Sequence, residues 1–361
     1  MNLPTILGHL EALVAYDTQN PPRLIDADSM IFRYCSDQLG GGFDIRTWDH
    51  GDGHVSWFAL RGNPKVLFNV HLDTVPAGDG WSGNPHKLVV RDGRAYGRGA
   101  CDIKGAAAAL LTLAQQGVEN LALLFTSDEE GAGGCCVANF LDAGIAQQFE
   151  QVIVAEPTCC KAVLGHRGFL SVKTRFHGVA GHSSEARALQ ENANHQMARW
   201  AVGALQIAEA RKISEMDPGS CMNIGVVDGG TKSNVIAGSA FVHWSARLRP
   251  GESNDEFLRE IQSCAPQGSN VDWEVPFQGE PLPAGVQNDS AARQFCVSHE
   301  LPRGEAVDFW TEASLFSAAG LPALVLGPGD IAQAHVSDEW VGLEQLETAY
   351  KLYSNVVSND G

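Results

Sequence analysis

Five residues spread along the chain carry groups that hold divalent metals: His71 in HLDTVP, Asp102 in GRGACDIKG, Glu130 in TSDEEGAGG, Glu156 in AEPT and His335 in GDIAQAH. Two imidazoles and three carboxylates suit zinc, yet a single catalytic zinc ordinarily takes three protein ligands and keeps one position open. The set is too acidic for one such ion. Two ions sharing one carboxylate fit it better, and such a pair, roughly 3.5 to 4 Å apart, clamps and deprotonates a water for attack at neutral pH. Each residue also has a plainer reading. Asp102 can cap the helix begun by Lys104 and Gly105, Glu129 and Glu130 can form a solvated charge run, and His335 can be a loop histidine. Their shared setting favours chemistry.

That setting is a series of short apolar runs. Residues 66–70, 121–125 and 152–155 read as strands buried on both faces, rich in Val, Ile, Leu and Phe. Each delivers polar groups at its carboxyl end: His71 and Asp73, then Asp128, Glu129 and Glu130, then Glu156. Ligands of open α/β sheets bind at that end of the strands. Between them, GAAAALLTL over 105–113 predicts a helix, and Asp92-Gly93 predicts a hairpin turn. The chain opens on helical spacing at Ile6, Leu10, Leu13 and Val14, stopped by Asn20-Pro21-Pro22. It closes on an apolar strand over 321–327 and a helix through Leu346 and Tyr350.

From about residue 167 the pattern changes. Leu170, Val172, Thr174 and Phe176 alternate with polar neighbours, the period of a strand with one wet face. Met197, Trp200, Ala201, Ala204, Leu205 and Ala208 trace a helical stripe. Met222, Ile224 and Val226 alternate next, then Val242, Trp244, Ala246 and Leu248. Ser253 and Glu256 have capping-box spacing ahead of Phe257, Leu258 and Ile261, and Val271, Trp273 and Val275 end the series. The order β-α-β-β-α-β defines a split βαβ domain over 167–277, inserted into a larger domain made of 1–166 and 278–361. A length of 361 residues also exceeds the size at which one core keeps growing.

Composition narrows the partners. Against 25 basic residues stand 43 acidic ones, a net charge of −18 that repels phosphate backbones and disfavours nucleic acid or anionic membrane. No window reaches the roughly twenty uncharged apolar residues of a membrane span, and the amino terminus lacks the basic flank of a signal peptide. A cytoplasmic protein is expected. Nine cysteines, four of them in adjacent pairs, show no CxxC spacing, so neither a disulfide framework nor a zinc ribbon is expected. Cys101, beside the most polar motif, reads as a small residue filling a tight space.

The motif series HLDTVP, YGRGACDIKG, TSDEEG, AEPT, GHRG, GHSS and LGPGDIAQAH resembles that of the M20 family of dinuclear metallohydrolases, over essentially the whole chain. Within it the chain is most similar to the acetylornithine deacetylase group. The resemblance implies a zinc-peptidase-like catalytic domain of α/β class, with a mixed central sheet and flanking helices, and an inserted ferredoxin-like lid and dimerisation domain. It implies His71, Asp102 and Glu156 on one metal and Asp102, Glu130 and His335 on the other, with zinc first and cobalt as the alternative. Glu129 is then the proton carrier, and Asp73 holds the far nitrogen of His71. It also implies a cis peptide between Asp102 and Ile103.

In the inserted domain, His182 of GHSS matches a lid histidine that reaches across a homodimer to the scissile carbonyl. Asn234 in NVIAG and Arg247 in SARLRP match residues that hold the substrate's carboxylate. Arg247 falls on the polar face of an alternating strand, where it can meet an anion or only solvent. Family members often carry an acid where Ser245 stands, which leaves the orientation of Arg247 open. The activity implied is removal of acetate from an N-acetylated amino acid in arginine biosynthesis, with N-acetyl-L-citrulline as substrate and N-acetyl-L-ornithine as the alternative. Dipeptide hydrolysis, N-succinyl-diaminopimelate desuccinylation and metal-free binding on the same fold are more distant readings. Glu312 could favour a cationic side chain, but a similar Glu in ornithine-type relatives leaves that undecided.

Overall fold

Strand Val66–His71, with every residue buried, lies inside a six-stranded mixed sheet. The sheet runs Asp44–Asp49, Val55–Arg61, Leu121–Thr126, Val66–His71, Gln151–Val154, Ala323–Val325. The last four are parallel to one another, and the first two join antiparallel at one edge. The apolar runs read from the sequence are the parallel strands, because a strand covered on both faces needs no polar alternation. The computed structural model describes residues 2–21, 25–131, 135–214 and 219–359.

By their contacts the residues divide into two units. The first comprises 1–165, 283–306 and 311–361; the second comprises 166–282 with 307–310. The second unit therefore reaches further than the expected 167–277 and takes in a segment expected in the larger domain. His166 explains this, since it bridges to Leu282 on one side and Val307 on the other.

Within the first unit, helix Gly105–Gln115 is buried from Gly105 through Ala114 and packs between Leu3–Ala15 and Leu343–Ser358. Its alanines let neighbouring helices approach closely. Gly105 is needed for the same reason, as a Cβ there would lie 2.6 Å from the Ala100 carbonyl and 3.1 Å from Leu346. Trp57 stacks on Phe125 across adjacent strands, and Tyr353 meets Phe68 edge-on while its hydroxyl donates to the Leu326 carbonyl. The Asp92-Gly93 turn joins Val89–Arg91 to Arg94–Tyr96, with both central residues at positive φ. That conformation fits the twist of a two-residue hairpin. Trp340–Gly342 pairs onto the outer side of Arg94–Tyr96.

The second unit carries an antiparallel sheet in the order Cys221–Gly229, Ser239–Arg247, Phe169–His177, Asn270–Gly279. With helices Ala193–Ala210 and Asn254–Ser263 this is the ferredoxin-like βαββαβ arrangement. Phe176, Trp200 and Trp244 form its core, and Ser253 caps the second helix by accepting from the Glu256 N–H. The alternation fails in two places. Val226 is 50% exposed just beyond one interruption of the ladder, and Val275 is 38% exposed inside another. One interruption falls at Gly225, where a one-residue slip turns Val226 to the other face; the other takes in Val275 and Pro276, a residue without an N–H to pair.

Candidate metal centre

The parallel register aligns the carboxyl ends of three strands. His71 lies opposite Thr126 and Asn69 opposite Val154, so His71, Glu129, Glu130 and Glu156 all issue from one edge of the sheet. Asp102 comes from the irregular turn Ala100–Lys104 that leads into the alanine-rich helix, and the peptide between Asp102 and Ile103 is cis. His335 stands in a loop at φ 62°.

The two oxygens of Asp102 point to different histidines. Oδ1 is 3.0 Å from His71 Nε2 and Oδ2 is 3.2 Å from His335 Nε2. Glu156 Oε1 lies 3.4 Å from His71 Nε2, while Glu130 Oε1 lies 3.0 Å from His335 Nε2. The five residues thus form two triads, His71 with Asp102 and Glu156, and Asp102 with Glu130 and His335. Within each triad the donor atoms lie inside 4.8 Å of one another.

Electrostatics show what the centre lacks. Burial pushes the Glu156 carboxyl up to about 7, with the Asp102 and Glu130 charges adding and His71 opposing. Burial also raises Glu129 well above its ordinary value, reinforced by Glu156, Glu130 and Asp102 against His71. His335 is pushed up to about 10 by its hydrogen bonds to Asp102 and Glu130. Against the burial that would raise it, hydrogen bonds to His335 and His71 hold the Asp102 carboxyl below the usual carboxylate range, so the pocket gathers acidic groups that attract positive charge. Glu156 Oε1 is, moreover, buried with only His71 Nε2 at 3.4 Å beside it and no well-formed hydrogen bond among the described residues. Imidazole and carboxylate donors arranged this way fit two divalent ions.

A sequence model of peptidase family M20/M25/M40 matches residues 67–359. The chain belongs to this family. It is 46% identical to N-acetyl-L-citrulline deacetylase of Xanthomonas campestris pv. campestris, over 99% of this chain and 98% of that protein. It is 28% identical to acetylornithine deacetylase of Vibrio vulnificus, over 99% of both. Its fold matches aminopeptidase PepT from Bacillus cereus with a TM-score of 0.75 at 16% identity, over 99% of both chains. As an M20/M25/M40 member with deacetylase relatives, it is a metal-dependent hydrolase acting on an amide. No helix among the described residues is long and apolar enough to cross a membrane.

Around the two triads, His71 Nδ1 is 3.0 Å from the Asp73 carbonyl oxygen and 3.5 Å from the Asp73 carboxylate. The carbonyl is the nearer partner, and Asp73 Oδ2 accepts the Glu130 backbone N–H. Asp73 therefore ties the first strand end to the second. Cys101 fills a tight space as expected, since a Cβ on Gly329 would lie 2.5 Å from its sulfur. Glu312 is 1% exposed, so it offers no surface charge to a ligand. Its Oε2 accepts the Thr126 hydroxyl, and burial pushes its carboxyl up to about 8. A third group, His54, Asp128 and Cys135, also converges, but Asp128 there accepts from His54 and the Cys136 N–H.

His182, Asn234 and Arg247 belong to the second unit. His182 is exposed, pairs with Val235, and its Nδ1 lies 2.8 Å from the Ser184 hydroxyl. Asn234 is exposed and its carbonyl accepts the Ser183 N–H. The Arg247 guanidinium lies 3.9 Å from the centre of the Phe169 ring. Sequence reasoning missed Arg98 and Glu339, which meet at 2.7 Å fully inside the protein. The available signal was a pair of charges, in GRGACD and SDEW, flanking two proposed ligands.

Proposed function

We propose that this chain is a two-metal amidohydrolase that removes the acetyl group from N-acetyl-L-citrulline, giving citrulline and acetate. One observation carries the two-metal reading: the oxygens of Asp102 address His71 and His335 separately, so one carboxylate would serve both triads. The 46% identical deacetylase supports the substrate. His71, Asp102 and Glu156 would hold one ion, and Asp102, Glu130 and His335 the other, with zinc as the first choice and cobalt as the alternative. When bound, the ions supply Lewis acidity and lower the pKa of a water.

The side chains do the rest. Glu129 belongs to neither triad and has a carboxyl raised by burial, the property of a base that works near neutral pH. It takes the proton from the attacking water and passes it to the leaving amine. Asp73 orients His71 and the Glu130 backbone. His182 donates to the oxygen that gains charge at the scissile carbonyl, across a homodimer, and Asn234 and Arg247 receive the substrate's carboxylate. These second-unit roles rest on the family resemblance, and the cytoplasmic setting on the reading of the sequence alone. N-acetyl-L-ornithine is the competing substrate, supported by the 28% identical relative.

Metal analysis with turnover of acetylcitrulline, acetylornithine and a dipeptide tests the proposal. Two ions per chain and preferred release of acetate from acetylcitrulline are expected. Faster turnover of acetylornithine would reverse the substrate, and no turnover of any of them would leave a binding protein.

A further inference from the structure

Glu339 has no exposed surface, and a buried carboxylate is costly unless its lone pairs are used. Here they are. Oε1 accepts the backbone N–H groups of Cys101 at 2.8 Å and Asp102 at 3.0 Å. Oε2 accepts the Gly99 N–H at 3.0 Å and Arg98 Nη1 at 2.7 Å. Arg98, 2% exposed, is itself held by the Ala77 carbonyl and sits over the Trp81 ring. Four donors from residues 98–102 therefore converge on one carboxylate from a distant part of the chain.

Its position in sequence gives the clamp its meaning. Glu339 follows His335 by four residues, and its own carbonyl accepts the Gly97 N–H. The strand that starts at Trp340 then pairs with Arg94–Tyr96. The segment bearing His335 is thus riveted to the segment bearing Asp102 by backbone and side chain together. His335 needs such an anchor, because its side chain is 53% exposed and little packing fixes its direction.

We propose that Glu339 is the positioning residue of the metal centre. Resting on the two-metal reading above, it sets the spacing between Asp102 and His335 and hence the affinity for the ion they share with Glu130. It touches no proposed ligand side chain and is not catalytic. Glu339→Gln offers one acceptor oxygen in place of two and turns an NH2 group against N–H donors whichever way the amide flips. Glu339→Asp keeps the charge beside Arg98 but withdraws the carboxylate from the amides by one methylene.

The test is a zinc titration of metal-free wild type, Glu339→Gln and Glu339→Asp against a competing chelator, with melting of each metal-free protein recorded alongside. Wild type is expected to take two ions. In both variants one of the two should bind roughly 10- to 100-fold more weakly, the scale of lost ligand support, and the other should change less. If Glu339→Gln fails to fold, Glu339→Asp carries the test. Zinc affinities equal to wild type in a folded variant, even with a lower melting temperature, would overturn the positioning role and leave the two-metal reading intact. Fewer than two ions on wild type would overturn both.

Discussion

Glu129 and Glu130 are neighbours of identical chemistry, so substituting each in turn separates proton transfer from metal binding. Glu130 Oε1 lies 3.0 Å from His335 Nε2 inside a ligand triad, whereas Glu129 belongs to neither triad. An isosteric Glu129→Gln removes the base and leaves all five metal donors in place. A positioned general base contributes roughly 10²- to 10⁴-fold. At about 1.4 kcal/mol per decade that is about 3 to 6 kcal/mol of barrier. Turnover should fall by that factor while two ions per chain remain. Glu130→Gln should lose the ion shared with Asp102 and His335, recover part of its turnover in excess zinc, and show a smaller defect when fully loaded. Steady-state kinetics with metal content measured on the same samples decide the matter. Equal metal loss in the two variants, or full turnover by Glu129→Gln, would refute the assignment.

Three further outcomes are expected. If His182 serves the partner's site, mixing Glu129→Ala with His182→Ala after verified subunit exchange makes half the dimers mixed, each with one intact site. About a quarter of wild-type turnover should then return, and none if the histidine serves its own chain. The Glu312 carboxyl is held at about 8 by burial against an ordinary 4.5, so the metal-free native state binds an extra proton between those values and loses stability as pH rises through them. Glu312→Gln should remove that slope, on the order of a few kcal/mol, and urea unfolding at pH 5 and pH 8 that runs parallel in the two proteins would contradict it. Stripping the ions with a chelator should lower the melting temperature, since a ligand at about a thousand times its Kd stabilises by about 4 kcal/mol, and an unchanged melt would argue against bound metal.

Some of this molecule is local and therefore readable from its sequence. Residues 66–70, 121–125 and 152–155 announce buried strands because burial on both faces leaves a continuous apolar run, and the proposed ligand residues follow directly at their ends. The alanine-rich helix, the Asp92-Gly93 turn and the Ser253 cap are likewise set by residues within a few positions of one another. Motif spelling across the chain carried the family and pointed to the five proposed metal donors.

Tertiary structure decided what depends on distant partners. Strand Asp44–Asp49 escapes notice because it is exposed along most of its length, and an edge strand without a buried face has no apolar pattern to show. Val226 and Val275 depart from the alternation because a ladder irregularity is a property of two strands, not of one. The division of Asp102 between two histidines needs the sheet register and the loop at His335 together. The clamp of Glu339 on Asp102 joins groups 237 residues apart. A hydrophobic period states that a face is covered but not by what. The partner of a buried charge is chosen by the fold that brings the two together, and only there does the carboxylate find its donors.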